Sequence, residues 1–116
     1  AIKKFYRIID LHRNSPLAYE SYKQIGDILF LKLEQYEQAF THYQRMLEVY
    51  PTEPRKAEIR FRMAKSLFHL VRLQESKAAF EEITKSFPES EWAEKSEFEI
   101  GNILVADGNR IQNQDT

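Results

Sequence analysis

The feature that most constrains this chain is a short stretch of sequence that occurs twice. Residues 24–30 read QIGDILF, and residues 99–105 read EIGNILV. A glycine in the interior of a helix costs about 1 kcal/mol relative to alanine, so its recurrence in one local context indicates a position where a side chain is not tolerated. Ala64 occupies the same place between the two copies, because Gly26, Ala64 and Gly101 are separated by 38 and 37 residues. The sequence therefore predicts a repeat architecture.

The apolar residues predict that these repeats are helical. They recur at helical spacing between the prolines, and no segment alternates with a period of two over a useful length. Proline is tolerated as the first residue of a helix or just beyond its end, so the joints between helices are marked by Pro16, Pro51, Pro54 and Pro88. We predict an all-α fold with a frayed polar tail at 108–116 and six helices at residues 2–13, 16–32, 36–50, 54–71, 74–87 and 90–106.

Two helix templates alternate along the chain. Helices of the first kind carry the small residue described above, with a leucine three positions later, at Leu29, Leu67 and Leu104. Helices of the second kind carry a small residue at Ala1, Ala39 or Ser76, with an aromatic residue four positions later and an apolar residue seven positions later. A side chain at a close crossing of two helices would hold their axes apart. We therefore expect each first helix to cross its second helix at the small residue.

The second helices and the turns that follow them resemble a known repeat. Residues 35–54 (QYEQAFTHYQRMLEVYPTEP) and 73–90 (LQESKAAFEEITKSFPES) are similar to the second helix and closing turn of a tetratricopeptide repeat. The positions that match this family are Gly26, Ala39, Tyr43 and Pro51 in one repeat and Ala64, Ser76, Phe80 and Pro88 in the next. The resemblance implies an alpha-alpha superhelix, or α-solenoid, of antiparallel helix pairs. Its parts would be a half repeat at 1–13, full repeats at 16–50 and 54–87, and a half repeat at 90–106.

The length of the repeats implies a location. The periods exceed the 34 residues usual for this family, and YP and FP close the second helices. Both features are similar to those of bacterial cell-envelope members. The resemblance therefore implies a periplasmic or cell-envelope location, with the cytoplasm as the alternative.

The residue inventory excludes several kinds of site. The chain has no cysteine, which excludes a disulfide framework, a thiolate zinc site and a cysteine nucleophile. His12, His42 and His69 lie far apart, with no second ligand one helical turn away, so we expect surface histidines and no metal or other cofactor. Nucleotide-binding and acyl-transfer motifs are missing, and no apolar run approaches the length of a membrane span. We therefore expect a non-enzymatic protein that does not insert into a membrane.

Charge is segregated between consecutive repeats. Residues 55–65 carry a formal charge of +4 and residues 89–99 carry −4, within a net charge of −1. Arg60 aligns with Glu97 and Arg62 with Glu99, so stacking of the two first helices would bring opposite charges alongside each other. A basic run of this kind can indicate either nucleic-acid binding or an intramolecular charge partner. We interpret this run as the partner of the acidic run and expect no nucleic-acid binding.

A binding surface follows from the resemblance. Stacked helix pairs leave a concave groove lined by their first helices, and the family's groove positions map here to Glu20, Lys23, Asp27, Phe30, Glu58, Phe61, Lys65, Phe68, Lys95, Phe98, Asn102 and Val105. We predict that a peptide or protein partner binds at Lys23, Asp27, Phe30, Phe61, Lys65, Phe68, Phe98 and Asn102. The alternative is that the phenylalanines fill space between repeats. Asp27 stands where the family's carboxylate clamp would need asparagine, so that clamp is not expected, and Trp92 either seals a joint or anchors a partner.

The two ends of the chain provide a second functional hypothesis. A second-type helix without its first helix opens the sequence, and a first-type helix without its second helix closes it, each leaving an apolar stripe uncovered: Phe5, Ile8 and Ile9, and Ile100, Ile103 and Leu104. Repeat arrays normally need capping. Because the sequence starts AIKKFYRI, without an initiator methionine or a signal peptide, we expect a piece of a longer protein. Either that protein continues in both directions, or the ends meet a neighbouring copy.

Overall fold

The computed structural model describes Arg7, Leu11 and residues 15–50 and 56–115, and the described elements are all helical. In chain order they are α1 (Pro16–Asp27), a π-helical segment (Ile28–Lys32), α2 (Tyr36–Val49), α3 (Lys56–His69), α4 (Leu73–Ser86) and α5 (Glu91–Asp115). The predicted all-α helical repeat is confirmed. Apart from Arg7 and Leu11, the helix predicted at residues 2–13 lies outside the described residues.

The helix starts follow local sequence signals, whereas the end of the last helix does not follow the prediction. Ser15 caps α1 by accepting a hydrogen bond from the Leu17 N–H at 3.3 Å, and Pro16 opens the helix. Ser90 caps α5 by accepting from the Ala93 N–H at 3.2 Å. Helix α5 then continues to Asp115, beyond the helix end predicted at residue 106. No proline follows Pro88, and extending an existing helix adds one hydrogen bond for each residue ordered.

The helices form two antiparallel pairs and stack in chain order. Tyr50, at the end of α2, contacts Tyr19 near the start of α1 with ring centroids 5.3 Å apart, so these helices run in opposite directions. Each of α2, α3 and α4 packs against the helices before and after it, and α3 also packs against α5. First helices of successive repeats therefore lie side by side, as in a solenoid.

Two of the three small residues mark the predicted close crossings. The Tyr43 ring of α2 lies directly over Gly26 of α1, where an added Cβ would come within 2.8 Å of Tyr43 Cζ. Ala64 of α3 is fully buried, and the Ser76 hydroxyl of α4 donates to its carbonyl oxygen at 2.8 Å. At Gly101 of α5 the prediction is wrong, because a Cβ there would meet nothing within 4 Å. Among the described elements no second-type helix follows α5 to cover that face.

The π-helical segment accommodates a difference in length between the two repeats. Gly26 and Ala39 are separated by 13 residues, whereas Ala64 and Ser76 are separated by 12. Within the segment, the Leu33 N–H donates to the Ile28 carbonyl, five residues earlier, at 3.0 Å. Such a turn holds one residue more than an α-helical turn and therefore absorbs the insertion.

The first helices nevertheless end in the same way. Glu34, with φ of 52°, and Val71, with φ of 61°, both take the left-handed conformation that terminates a helix. Phe30 aligns with Phe68 and Glu34 with Val71, so the added residue is one of Leu31, Lys32 and Leu33. All three side chains are exposed, so the insertion leaves the core unchanged.

Candidate functional site

A series of ion pairs connects the first helices on the face predicted to be the groove. Lys23 of α1 pairs with Glu58 of α3 at 3.1 Å. Asp27 of α1 pairs with Arg62 of α3 at 3.4 Å. One repeat further along, Lys65 of α3 pairs with Glu99 of α5 at 3.2 Å, and this Glu99 side chain is only 12% exposed. We refer to these three pairs as the ion-pair ladder.

The ladder engages three of the predicted binding residues. Lys23, Asp27 and Lys65 each face an opposite charge of the neighbouring repeat. A charged partner that used them would have to compete with partly buried intramolecular pairs, which water screens less than exposed ones. The stacked first helices do bring opposite charges together at Lys65 and Glu99. Arg62, however, pairs towards α1 rather than with Glu99 as its alignment indicated.

Most of the predicted groove phenylalanines fill space within the fold. Phe30 is 8% exposed and packs edge-on against Tyr36 and His69, with centroids 5.2 and 5.6 Å away. Phe61 is half-buried between Phe80 and Trp92, at 5.4 and 5.3 Å. Phe68 is also half-buried, with the Lys65 ammonium 5.9 Å from its centroid.

Trp92 lies at the joint between α3 and α5. Its ring packs against Phe61, and the Lys95 ammonium lies 4.5 Å from its centroid. Of the two roles considered for Trp92, these contacts agree with packing at the joint between repeats. They also direct the Lys95 charge onto the indole ring, where a cation is attracted to the π-system.

The exposed part of the predicted surface is on α5. Phe98 is 70% exposed, Val105 is 64% exposed, and Asn102 between them is exposed as well. Spacings of four and three residues place the three side chains on one face of the helix. Beside Phe98 a depression of about 490 Å³ opens between α3 and α5, lined by Phe61, Glu91, Glu94, Lys95, Phe98 and Glu99. We call this depression the α3–α5 notch.

The family comparison agrees with this repeat geometry. A family model described as Tetratricopeptide repeat matches residues 20–52 and 58–90, which together make up more than half of the chain. The chain belongs to the tetratricopeptide repeat family. Each match covers one helix pair, α1 with α2 and α3 with α4. No curated protein matches the chain.

Family membership supplies a general role. Tetratricopeptide repeats generally mediate protein–protein interaction, and proteins of this family are typically non-enzymatic scaffolds. In the described part of this tetratricopeptide repeat chain, no helix has both the length and the apolar composition needed to cross a membrane. No three metal-ligating side chains gather within the same residues.

The histidines of the repeats differ from one another in their surroundings. His42 is 2% exposed, and its Nε2–H donates to the Tyr22 carbonyl at 2.5 Å, so the expectation of a surface histidine is wrong here. Burial lowers the pKa of His42 because desolvation disfavours the imidazolium, with the Tyr22 carbonyl acting in the opposite direction. His69 is exposed and stacks on Tyr36 with centroids 4.3 Å apart. His12 lies outside the described residues.

Sequence reasoning missed several members of the surface. Arg62 and Glu99 were identified as charge complements but not as partners of the groove residues Asp27 and Lys65. Glu91 and Glu94, both exposed on the first turn of α5, were counted only as acidic charge. Glu91 lies four residues before Lys95, and Glu94 lies four residues before Phe98. This spacing was the signal that places each pair along one face of the helix.

Proposed function

We propose that this chain is a non-enzymatic scaffold that binds a peptide or protein partner along α5 and in the α3–α5 notch. The observation that carries the proposal is the exposure of Phe98, which is 70% accessible at the mouth of the notch. Its aligned residue Phe61 is half-buried against Trp92. Exposed aromatic side chains beside a concave surface are frequent anchors in protein interfaces.

The lining of the notch indicates the chemistry of the partner. Glu91 and Glu94 present exposed carboxylates, whereas Lys95 is drawn onto Trp92 and Glu99 is paired with Lys65. A partner that fits would insert an apolar side chain against Phe98 and place a lysine or arginine near the carboxylates. Opposite charges on the rim favour the correct partner and speed association.

The remainder of the predicted groove would contribute shape rather than charge. Lys23, Asp27 and Lys65 are engaged in the ion-pair ladder, while Asn102 and Val105 extend the accessible face beyond Phe98. The same ladder favours a protein partner over nucleic acid. Arg62 and Lys65, from the basic run, face carboxylates of the chain itself instead of solvent.

Trp92 provides a direct test of binding in the notch. It is the single tryptophan of the chain and packs on the Phe61 ring that lines the notch. Peptides selected by display against the intact chain should carry an aromatic or aliphatic residue next to lysine or arginine, and should change the Trp92 fluorescence. Phe98→Ala should weaken binding of a selected peptide about tenfold or more, as for the loss of a central anchor.

The matched control is Leu31→Ala. Leu31 is 62% exposed but belongs to the first repeat, so its truncation should leave peptide affinity unchanged. Equal affinity of wild type and Phe98→Ala would exclude the notch as the binding site. Loss of binding in both variants would show that the peptides recognise exposed apolar surface without selectivity.

Self-association through the end helices is the second candidate function. It is favoured by the bare end of α5, where Leu104 is 55% exposed, whereas its aligned residues Leu29 and Leu67 are each 5% exposed. Arg7 and Leu11, the two described residues of the segment 1–13, are also exposed. Both candidates belong to protein–protein interaction, and they differ in the identity of the partner.

A further inference from the structure

We propose that the α3–α5 notch binds an arginine side chain of the partner, and that Lys95 closes this site until the arginine replaces it on the Trp92 ring. The inference rests on the proposed function, because it names the side chain that the notch selects and the contact that controls access to it. Three observations support it: the loss of one pair of the ion-pair ladder, the position of the Lys95 ammonium, and two carboxylates without a cation.

One pair of the ion-pair ladder has no equivalent at the notch. Between α1 and α3, Lys23 pairs with Glu58 at 3.1 Å. The aligned residues between α3 and α5 are Phe61 and Lys95. An aromatic ring thus replaces the cation and an ammonium replaces the carboxylate, so these two positions form no ion pair.

The neighbouring pair of the ladder is kept, with its charges reversed. Asp27 and Arg62 pair between α1 and α3 at 3.4 Å. Their aligned residues, Lys65 and Glu99, pair between α3 and α5 at 3.2 Å. The helices therefore lie close enough at the notch for a ladder pair, and the missing pair results from the residue types alone.

Lys95 covers an aromatic ring that is suited to a cation. Its ammonium lies 4.5 Å from the Trp92 centroid, in a contact that the π-system stabilises. Glu91 lies four residues earlier, in the orientation that favours a helical ion pair, yet Lys95 forms no ion pair within the described residues. Because a solvent-exposed cation–π contact is weak, an incoming cation can displace Lys95 from the ring.

Two carboxylates of the notch remain available for the charge of a partner. Glu91 and Glu94 both line the notch and are exposed, and neither is in an ion pair in the part of the chain that the structure describes. The third carboxylate, that of Glu99, is already paired with Lys65. Only the Lys95 ammonium offsets the two free carboxylates, so the notch is negatively charged and attracts a cation.

The combination of a ring with two carboxylates favours arginine over lysine. A guanidinium is planar and weakly hydrated, so it can stack on an aromatic ring while its N–H groups donate to carboxylates. An ammonium is compact and strongly hydrated. Lys95 reaches the Trp92 ring but leaves Glu91 and Glu94 unpaired. An arginine of the partner can use the ring and a carboxylate together and therefore replaces Lys95.

Citrulline, the neutral isostere of arginine, tests the site. The probe is an arginine-containing peptide selected by display against the intact chain, together with versions that carry citrulline or lysine in place of the arginine. Titration calorimetry should give a Kd about tenfold or more higher with citrulline, because the charged hydrogen bonds are lost, and a smaller increase with lysine. In NMR spectra the arginine side-chain protons should shift upfield on binding, since they lie over the face of the Trp92 ring.

Lys95→Met tests the closure of the site. The variant removes the competing charge and should raise the affinity for the arginine peptide about threefold. The gain should be much smaller for the citrulline peptide, because only a cation competes with Lys95. Lys32→Met is the matched control, since Lys32 is exposed in the first repeat and its loss should change neither affinity. Lys95 is also exposed, so the fold should be kept, as circular dichroism can verify.

The outcomes separate this inference from the function on which it rests. If peptides bind through Phe98 but carry no arginine, or bind equally well with citrulline, the arginine site is refuted and the scaffold function stands. An equal gain of both peptides in Lys95→Met would mean that methionine only adds apolar surface, which would refute the closure by Lys95. If Phe98→Ala leaves peptide affinity unchanged, the notch is not the binding site and both proposals are refuted.

Discussion

The hydroxyl of Tyr43 donates a hydrogen bond to the Asp27 carboxylate at 2.7 Å, while the ring of the same tyrosine lies over Gly26. Asp27 in turn pairs with Arg62 of the next repeat at 3.4 Å. Burial, together with the hydrogen bond to Asp27, raises the pKa of Tyr43 and keeps its hydroxyl protonated as a donor. One aromatic side chain thus links the helix crossing within a repeat to the ion-pair ladder between repeats.

Gly26 and Gly101 should respond in opposite ways to the same substitution. Gly26→Ala should lower the free energy of unfolding by about 1–2 kcal/mol, because overpacking against the Tyr43 ring outweighs the gain in helix propensity. Gly101→Ala should raise it by up to about 1 kcal/mol, since its Cβ enters open space. Urea denaturation of both variants provides the measurement. Equal effects at the two positions would contradict the role assigned to the crossing.

Removal of one oxygen atom tests the link between Tyr43 and Asp27. Tyr43→Phe keeps the ring over Gly26 and removes the donor to Asp27. We expect the free energy of unfolding to fall by about 1.5 kcal/mol, which is typical of a hydrogen bond to a charged group. The control is Tyr43→Phe in an Asp27→Asn background, in which the charged acceptor is absent. There the loss should be smaller, and a double-mutant cycle gives the coupling. A coupling of zero would mean that the hydrogen bond does not stabilise the fold.

His42 should make the stability depend on pH. Its folded-state pKa lies below that of the unfolded chain, about 6.5, so below that pH the unfolded state binds more protons than the folded state. The stability that the neutral His42 contributes is therefore fully present above about pH 6.5 and is lost as the pH falls below that value. Thermal unfolding between about pH 8 and 5.5 should show a steeper decrease for wild type than for His42→Gln. The exposed His69, substituted in the same way, should change the slope less.

The π-helical segment should tolerate a deletion that a neighbouring turn does not. Removal of Leu31 restores the spacing of 12 residues between the small residues, as in the second repeat, and converts the segment to α-helix. We expect the unfolding midpoint to be unchanged or raised. Removal of Gln24, an exposed residue of the preceding helix α1, should destabilise the fold strongly, because it rotates the core residues before it by about 100°. Similar outcomes for the two deletions would refute the placement of the inserted residue in this segment.

Val71 is held in a conformation that suits glycine. A left-handed φ is unfavourable by about 1–2 kcal/mol for residues with a side chain, and Val71, with φ of 61°, is also β-branched. Val71→Gly should therefore raise the free energy of unfolding by about 1 kcal/mol. Val105→Gly is a matched control, because both valines are 64% exposed but Val105 is helical and should lose up to about 1 kcal/mol. Chemical denaturation should show a higher free energy of unfolding for Val71→Gly and a lower one for Val105→Gly.

The fold was predictable because a single physical requirement recurs in the sequence. Close crossing needs a small residue opposite an aromatic one, and this pattern at Gly26 with Tyr43 and at Ala64 with Phe80 located both helix pairs. The π-helical segment was not predicted, although the separations of 13 and 12 residues between the small residues contained the signal. Periodicity measured from one template alone does not reveal where an extra residue is placed.

The site was less predictable than the fold, because its residues depend on contacts between repeats. Lys23, Asp27 and Lys65 occupy groove positions in the sequence, but their pairing with carboxylates and Arg62 depends on how the first helices stack. Phe61 and Phe98 occupy the same template position and yet differ in exposure. The difference arises because α5 covers Phe61, and no described helix covers Phe98.

The π turn at Ile28–Lys32 has a consequence for how such arrays diverge. The π turn takes up the surplus residue before the left-handed Glu34, and the second repeat has its left-handed residue, Val71, at the aligned position. The length of a repeat can therefore change by one residue while the turn between its two helices is kept. The sequences of related repeat proteins are therefore better aligned at the turns between helices than by assuming a constant repeat length.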